Sequence, residues 1–212
     1  MEKVLFIFVA AAAAFGLCLP KFMRTKDTHD VQRLVWKGLG TTCGLVLALA
    51  GALISGGSRW LCVAGLVLCV AADIMLELRF MVGMGLFIGG HFCYIAWFLT
   101  RVPLRASHGI LFVILLAIAA YLIHRWSKLI GNRMIPFIIY AVILCAMGAS
   151  GISCLGFTAA GICTALGAMM FVTSDAMVCR GVIAPVPRSL DWSAMILYYA
   201  AQLCFGIAAL VG

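Results

Sequence analysis

The stretch that decides the fold runs from Trp60 to Leu78 and reads WLCVAGLVLCVAADIMLEL. A helix needs about 20 predominantly apolar residues to cross the hydrocarbon layer of a membrane, and this stretch meets that requirement. Its only charges, Asp73 and Glu77, lie toward its C-terminal end. Working outward, comparable apolar runs recur near residues 3–20, 34–55, 81–100, 106–124, 134–150, 152–178 and 192–211. Together they predict an all-α polytopic membrane protein with about eight transmembrane helices. The intervening loops are short, so residues 1–212 form a single transmembrane domain. The least marked boundary falls between the sixth and seventh runs, where Gly148 to Gly156 carries no charge; a continuous helix there would leave seven spans.

Composition excludes the soluble classes. The 212 residues are 66% hydrophobic and 10% charged, whereas soluble domains are roughly 45–50% apolar and about 25% charged. A water-soluble fold lacks the polar exterior to cover so much apolar surface. The first apolar run, Val4 to Leu19, ends in Pro20-Lys21 rather than in a small-x-small cleavage site, so it reads as a helix and not as a removable signal. The net charge of +8 comes from residues scattered through short loops, with no basic helix face interleaved with aromatics. That pattern argues against nucleic acid as a partner and points to topology. Lys3, Arg59, Arg101 and Arg105 lie on the side of the termini, and the other eleven basic residues lie on the opposite side. The positive-inside rule makes the opposite side cytoplasmic and both termini non-cytoplasmic. The compact loops suit a bacterial inner membrane. The ten cysteines show no C-x-x-C pair and mostly lie inside apolar runs, as Cys62, Cys69, Cys145 and Cys163 do; they read as small buried hydrophobes rather than as a disulfide framework.

Polar residues inside the spans carry the functional signal. An ionised side chain at the centre of a bilayer costs at least about 2.5–3.5 kcal/mol, so such residues face a bundle interior or a cavity. Asp73 and Asp175 both lie within runs, a few residues from the cytoplasmic ends of the third and seventh helices. His91 sits near mid-membrane on the fourth. Lys37, Tyr140, Tyr198, Tyr199 and Gln202 enter from the same side on the second, sixth and eighth helices. Asp73 with Glu77, His91 with Tyr94, and Tyr198 with Gln202 share helix faces at i, i+4 or i, i+3 spacing. One polar layer open to the cytoplasm accounts for all of them. The segment Val70-Ala-Ala-Asp73-Ile-Met75 also aligns with Val172-Thr-Ser-Asp175-Ala-Met177, as if four helices had been duplicated in parallel.

Plainer readings stand beside the functional one. Glu77 fits an interfacial position near Arg79, Tyr94 and Trp97 fit ordinary packing aromatics, and His91 fits a hydrogen-bonded core histidine. An ion pair with Lys37 explains one aspartate more easily than two. A zinc site built from Asp73, His91 and Asp175 is a further option, although hydrolytic zinc sites are usually richer in histidine; no metal or cofactor is expected.

Several stretches resemble one membrane-protein family. Ala72-Asp73-Ile-Met-Leu, Phe87-Ile-Gly-Gly-His91-Phe-Cys-Tyr94-Ile, Gly167-Ala-Met-Met-Phe-Val-Thr-Ser174-Asp175, Pro185-Val-Pro187 and Tyr198-Tyr199-Ala-Ala-Gln202 are similar to segments of the YhhN family. The likeness extends from about Lys37 to the end of the chain. The family usually has Gly where this chain has Ala72, and often Lys-Pro where it has Lys37-Gly38. The resemblance implies a lysoplasmalogenase, the activity of the animal members, which cleave the vinyl ether of a lysoplasmalogen to a fatty aldehyde and glycerophosphoethanolamine or glycerophosphocholine. The substrate partner would be a lysophospholipid taken from membrane lipid.

The residues suit that chemistry. Protonating the β-carbon of a vinyl ether gives an oxocarbenium ion, which water then traps, as in the two-carboxylate logic of glycosidases. Asp73 and Asp175 are the candidate acid and base. Lys37, Glu77, His91, Tyr94, Tyr140, Tyr198, Tyr199 and Gln202 are the candidate binding or supporting residues, with Lys37 placed to meet a phosphate. No G-x-S-x-G nucleophile motif occurs. The alternative reading is a proton-coupled transporter or a lipid or solute carrier, in which the same aspartate pair would serve transport.

Overall fold

A computed structural model describes residues 2–26 and 31–212. Asp27, His29 and Asp30 lie outside the described residues. Among the described residues, seven helical stretches are long and apolar enough to cross a membrane. They are α1 (Glu2–Thr25), α2 (Val31–Ser55), α3 (Arg59–Leu78), α4 (Phe80–Arg101), the 47-residue run Ala106–Ile152, α7 (Ala159–Ile183) and α8 (Arg188–Val211). The long run is broken by a single turn of 3₁₀ helix at Gly131–Arg133 into α5 (Ala106–Ile130) and α6 (Met134–Ile152). Gly131 has φ +57°, a conformation that glycine adopts without a Cβ penalty, and it ends α5. A Cβ on Gly148 of α6 would lie 3.1 Å from Leu115 of α5, so the chain folds back and the run crosses twice. The seven stretches therefore supply eight crossings.

Several helices run past their expected ends. Pro20 does not stop α1, because the π-helical segment Ala13–Cys18 just before it widens the backbone where the proline ring would otherwise crowd the preceding turn. α5 runs to Ile130 rather than 124, and α7 to Ile183 rather than 178. Their terminal basic residues remain helical, because long basic side chains snorkel to the membrane surface. Arg180 donates to the carbonyl of Ala184, 3.2 Å away, at the end of α7. Ala184 is extended, as the residue before Pro185 should be. Between α6 and α7 the turn lies at residues 153–158. Gly148 and Gly151 stay helical, and a Cβ on Gly151 would meet that of Ala168. These glycines mark close helix approach; α6 ends at Ile152, and Thr158 caps the start of α7, its Oγ1 accepting the Gly161 N–H at 3.1 Å.

The packing repeats. α3 lies against α2 and α4, and α7 lies against α6 and α8; α2 crosses to α8, and α4 crosses to α6. Exchanging α1–α4 with α5–α8 reproduces this pattern, as the short sequence repeat around Asp73 and Asp175 predicts. Lipid offers little hydrophobic drive for helices to associate, so small residues that let backbones approach take over. On α2, Gly40, Gly44, Ala48 and Ala52 form such a row, and all are buried. A Cβ on Gly44 would lie 2.5 Å from the Gln202 carbonyl of α8. Outward-facing positions are apolar and bare: Phe8 is 70% exposed, Leu53 69% and Val113 63%. The ten cysteines are free thiols.

Candidate active site

Each aspartate is held by two helices. Asp73 of α3 is 1% exposed. Its Oδ2 accepts the Thr41 hydroxyl of α2 at 2.5 Å and the Tyr198 hydroxyl of α8 at 2.9 Å. Asp175 of α7 is likewise buried, and its Oδ2 accepts the Tyr140 hydroxyl of α6. The His91 ring of α4 adds a second neighbour, with Nε2 3.9 Å from that oxygen and 3.3 Å from the Tyr140 oxygen. The contacting helices are those the repeat pairs: α2 and α8 for Asp73, α6 and α4 for Asp175. The aspartates thus occupy corresponding places in the two halves, each with a hydroxyl donor from the preceding helix of its own half.

Both carboxylates line one cleft of about 520 Å³, counted to its open mouth. Lys37, Tyr140 and Tyr198 supply the rest of its polar lining, and Leu76, Phe80, Met84, Phe87, Val178 and Met195 are among its apolar walls. Phe171 is fully buried and packs against two residues of the site, with ring centroids 5.1 Å from His91 and 5.6 Å from Tyr198. Asp175 lies eight residues from the end of α7, or about 12 Å at 1.5 Å per residue. That is deeper than the apparent end of the apolar run implied.

A charged vestibule adjoins the cleft on the side of the basic loops. It has a volume of about 760 Å³ and shares Lys37, Leu76, Phe80 and Met195 with the cleft. Glu77 pairs there with Arg33, and with Lys37 at 2.9 Å. Its partners come from α2 and not from the neighbouring Arg79. Lys26 and Asp191 pair at 2.6 Å across the same space. Lys37 is therefore bonded to Glu77 rather than to an aspartate, while its ammonium still borders both chambers.

Not every candidate residue faces the cleft. Tyr94 donates to Gln202 at 2.9 Å and lies beside the Cys69 thiol, forming a separate buried polar knot. Tyr199 reaches the carbonyl oxygen of Lys37 at 3.1 Å and covers Gly40, so it fastens α8 to α2. Trp97 is buried beneath Arg101, 4.8 Å from ring centroid to guanidinium, at the opposite end of the bundle. Thr41 was missed: a hydroxyl in an apolar run carries little signal, although its position one turn after Lys37 puts it on the same face. Among the described residues, no three His, Cys, Asp or Glu side chains are grouped to hold one metal ion.

The profile of the YhhN family matches residues 32–209. The human protein lysoplasmalogenase TMEM86B is 32% identical over 186 residues, which cover 84% of this chain and 78% of that protein. No solved structure matches.

Proposed function

The chain belongs to the YhhN family, and from that premise we propose that it is a lysoplasmalogenase-like hydrolase that cleaves the vinyl ether of a single-chain phospholipid within the membrane. The observation that carries the proposal is the pair of buried carboxylates, Asp73 and Asp175, lining one cleft between an apolar wall and a charged vestibule. A lysoplasmalogen has matching parts: a charged headgroup, a vinyl ether next to it, and a hydrocarbon chain.

The two carboxyl groups take different roles. Asp73 Oδ2 accepts two hydroxyl donors, an arrangement that favours a carboxylate. Asp175 accepts one such donor and keeps its other oxygen available to carry a proton. Asp175 acts as the acid and transfers that proton to the β-carbon of the vinyl ether. The electron pair of the double bond forms the new C–H bond, and the ether oxygen stabilises the resulting oxocarbenium ion. Asp73 faces that cation with its negative charge and orients the water that adds to the α-carbon. The hemiacetal then collapses to the aldehyde and the glycerol hydroxyl, and the proton lost from the water restores the acid. His91 holds Tyr140 and Asp175 in register. Lys37 and Arg33, neutralised in part by Glu77, receive the phosphate. By charge bias the vestibule opens to the cytoplasm, with both termini on the far side.

The test is product release. Purified protein in detergent receives lysoplasmenylethanolamine, and fatty aldehyde and glycerophosphoethanolamine are quantified together. Equimolar release is expected. If folded protein releases neither, and instead moves a solute across sealed vesicles, the hydrolase reading gives way to the carrier.

A further inference from the structure

A second cavity, of about 660 Å³, lies between α5, α6 and α7. Leu115, Leu122, Trp126, Leu144 and Val172 line it, and its lining is almost wholly apolar. It meets the aspartate cleft at two residues common to both, Tyr140 and Cys179. Tyr140 is the residue whose hydroxyl is bonded to Asp175. Along α5 the groove runs from Ile130 to Leu115, about 22 Å at 1.5 Å per residue. One leaflet of hydrocarbon is about 15 Å deep, half of a core of about 30 Å, so an extended lipid chain fits along it. α5 is the least enclosed helix of the bundle: only His108 and Ile130 of its 25 residues are buried, against 12 of the 24 in α8. A chain can therefore enter from the bilayer without parting the core helices.

The three chambers come in a fixed order: charged vestibule, aspartate cleft, apolar groove. The first two share Lys37, and the last two share Tyr140. We propose that the α5–α6–α7 groove is the binding site for the hydrocarbon chain of a single-chain lipid, seating the chain so that its polar end lies at Tyr140 and Asp175. This inference rests on the hydrolase reading for the identity of the lipid, but not for the site itself.

The experiment reads occupancy rather than turnover. A saturated-ether lysophosphoethanolamine with a diazirine at its chain end is photolysed on the purified full-length protein in nanodiscs, and labelled peptides are mapped by mass spectrometry. Label should concentrate on the groove faces of α5, α6 and α7. Excess unlabelled lysolipid should compete with it. Ala119→Phe and Leu122→Trp each fill the groove and should lower its labelling at least tenfold; two positions and a melting check guard against a misfolded variant. Label spread evenly over the lipid-facing helices, untouched by either folded variant, would mean annular lipid only and overturn the proposal. The two readings fail separately. Groove labelling without aldehyde release keeps the chain site and removes the reaction, and aldehyde release without groove labelling does the reverse.

Discussion

Replacing Gly44 with valine should loosen the bundle and disable the site together. A Cβ at this position would lie 2.5 Å from the Gln202 carbonyl oxygen and 2.8 Å from its carbon. That atom is helix backbone and cannot swing aside. Ordinary contact begins at 3.4 Å, so α2 and α8 must part by about 0.9 Å before the added methyls are counted. Overpacking of this kind costs about 1–3 kcal/mol, which corresponds to a fall in melting temperature of a few degrees or more for a chain of this size. The consequence for the site follows from the same shift. The Tyr198–Asp73 bond spans the parting helices at 2.9 Å. Lengthened by about 0.9 Å, it passes beyond hydrogen-bond reach, and misplacement of about 1 Å can cost on the order of 100-fold in rate. Gly85 is the control, since nothing lies within 4 Å of a Cβ built there. Melting in detergent is followed by tryptophan fluorescence, and activity by aldehyde release. If Gly44→Val melts and turns over like Gly85→Val, the proposed close packing of α2 on α8 is wrong.

Other outcomes follow from single contacts. Thr41→Val keeps the side-chain volume but removes one of the two donors to Asp73; turnover should fall about tenfold or more, and the same change added to Asp73→Asn should cost nothing further, which a double-mutant cycle measures. Tyr140→Phe removes the donor to Asp175 and the contact to His91, and should lower kcat by about tenfold while the protein still melts cooperatively. Lys37→Met leaves Glu77 paired with Arg33 and should raise KM for phosphate-bearing substrate more than it lowers kcat, as steady-state kinetics with and without the headgroup phosphate will report.

Much of this arrangement was legible in the sequence, for a physical reason. Lipid solvent imposes long apolar runs, so the crossings were visible, and a carboxylate in such a run stands out, as Asp73 and Asp175 did. Helix ends were less visible. Arg180 looked like the start of a loop, yet its long side chain lets α7 continue to Ile183. Neighbours far apart in sequence were out of reach: Arg33 and Glu77 are separated by 44 residues. Adjacent tyrosines were equally hard to tell apart. Residues next to each other on a helix point about 100° apart, and only the packing shows that Tyr198 faces the cleft while Tyr199 faces α2. The repeat was faint in sequence but clear in the contacts, because evolution can change side chains while the helix partners of each aspartate stay the same.

The central claim is that two carboxylates in one cleft perform the cleavage. Its most direct test is aldehyde release from lysoplasmenylethanolamine by wild type, Asp73→Asn and Asp175→Asn, each shown by melting to be folded. The account predicts release by the wild type and a loss of at least about 100-fold in either variant, the scale of a positioned acid or base. Undiminished release by a folded Asp175→Asn protein would contradict it.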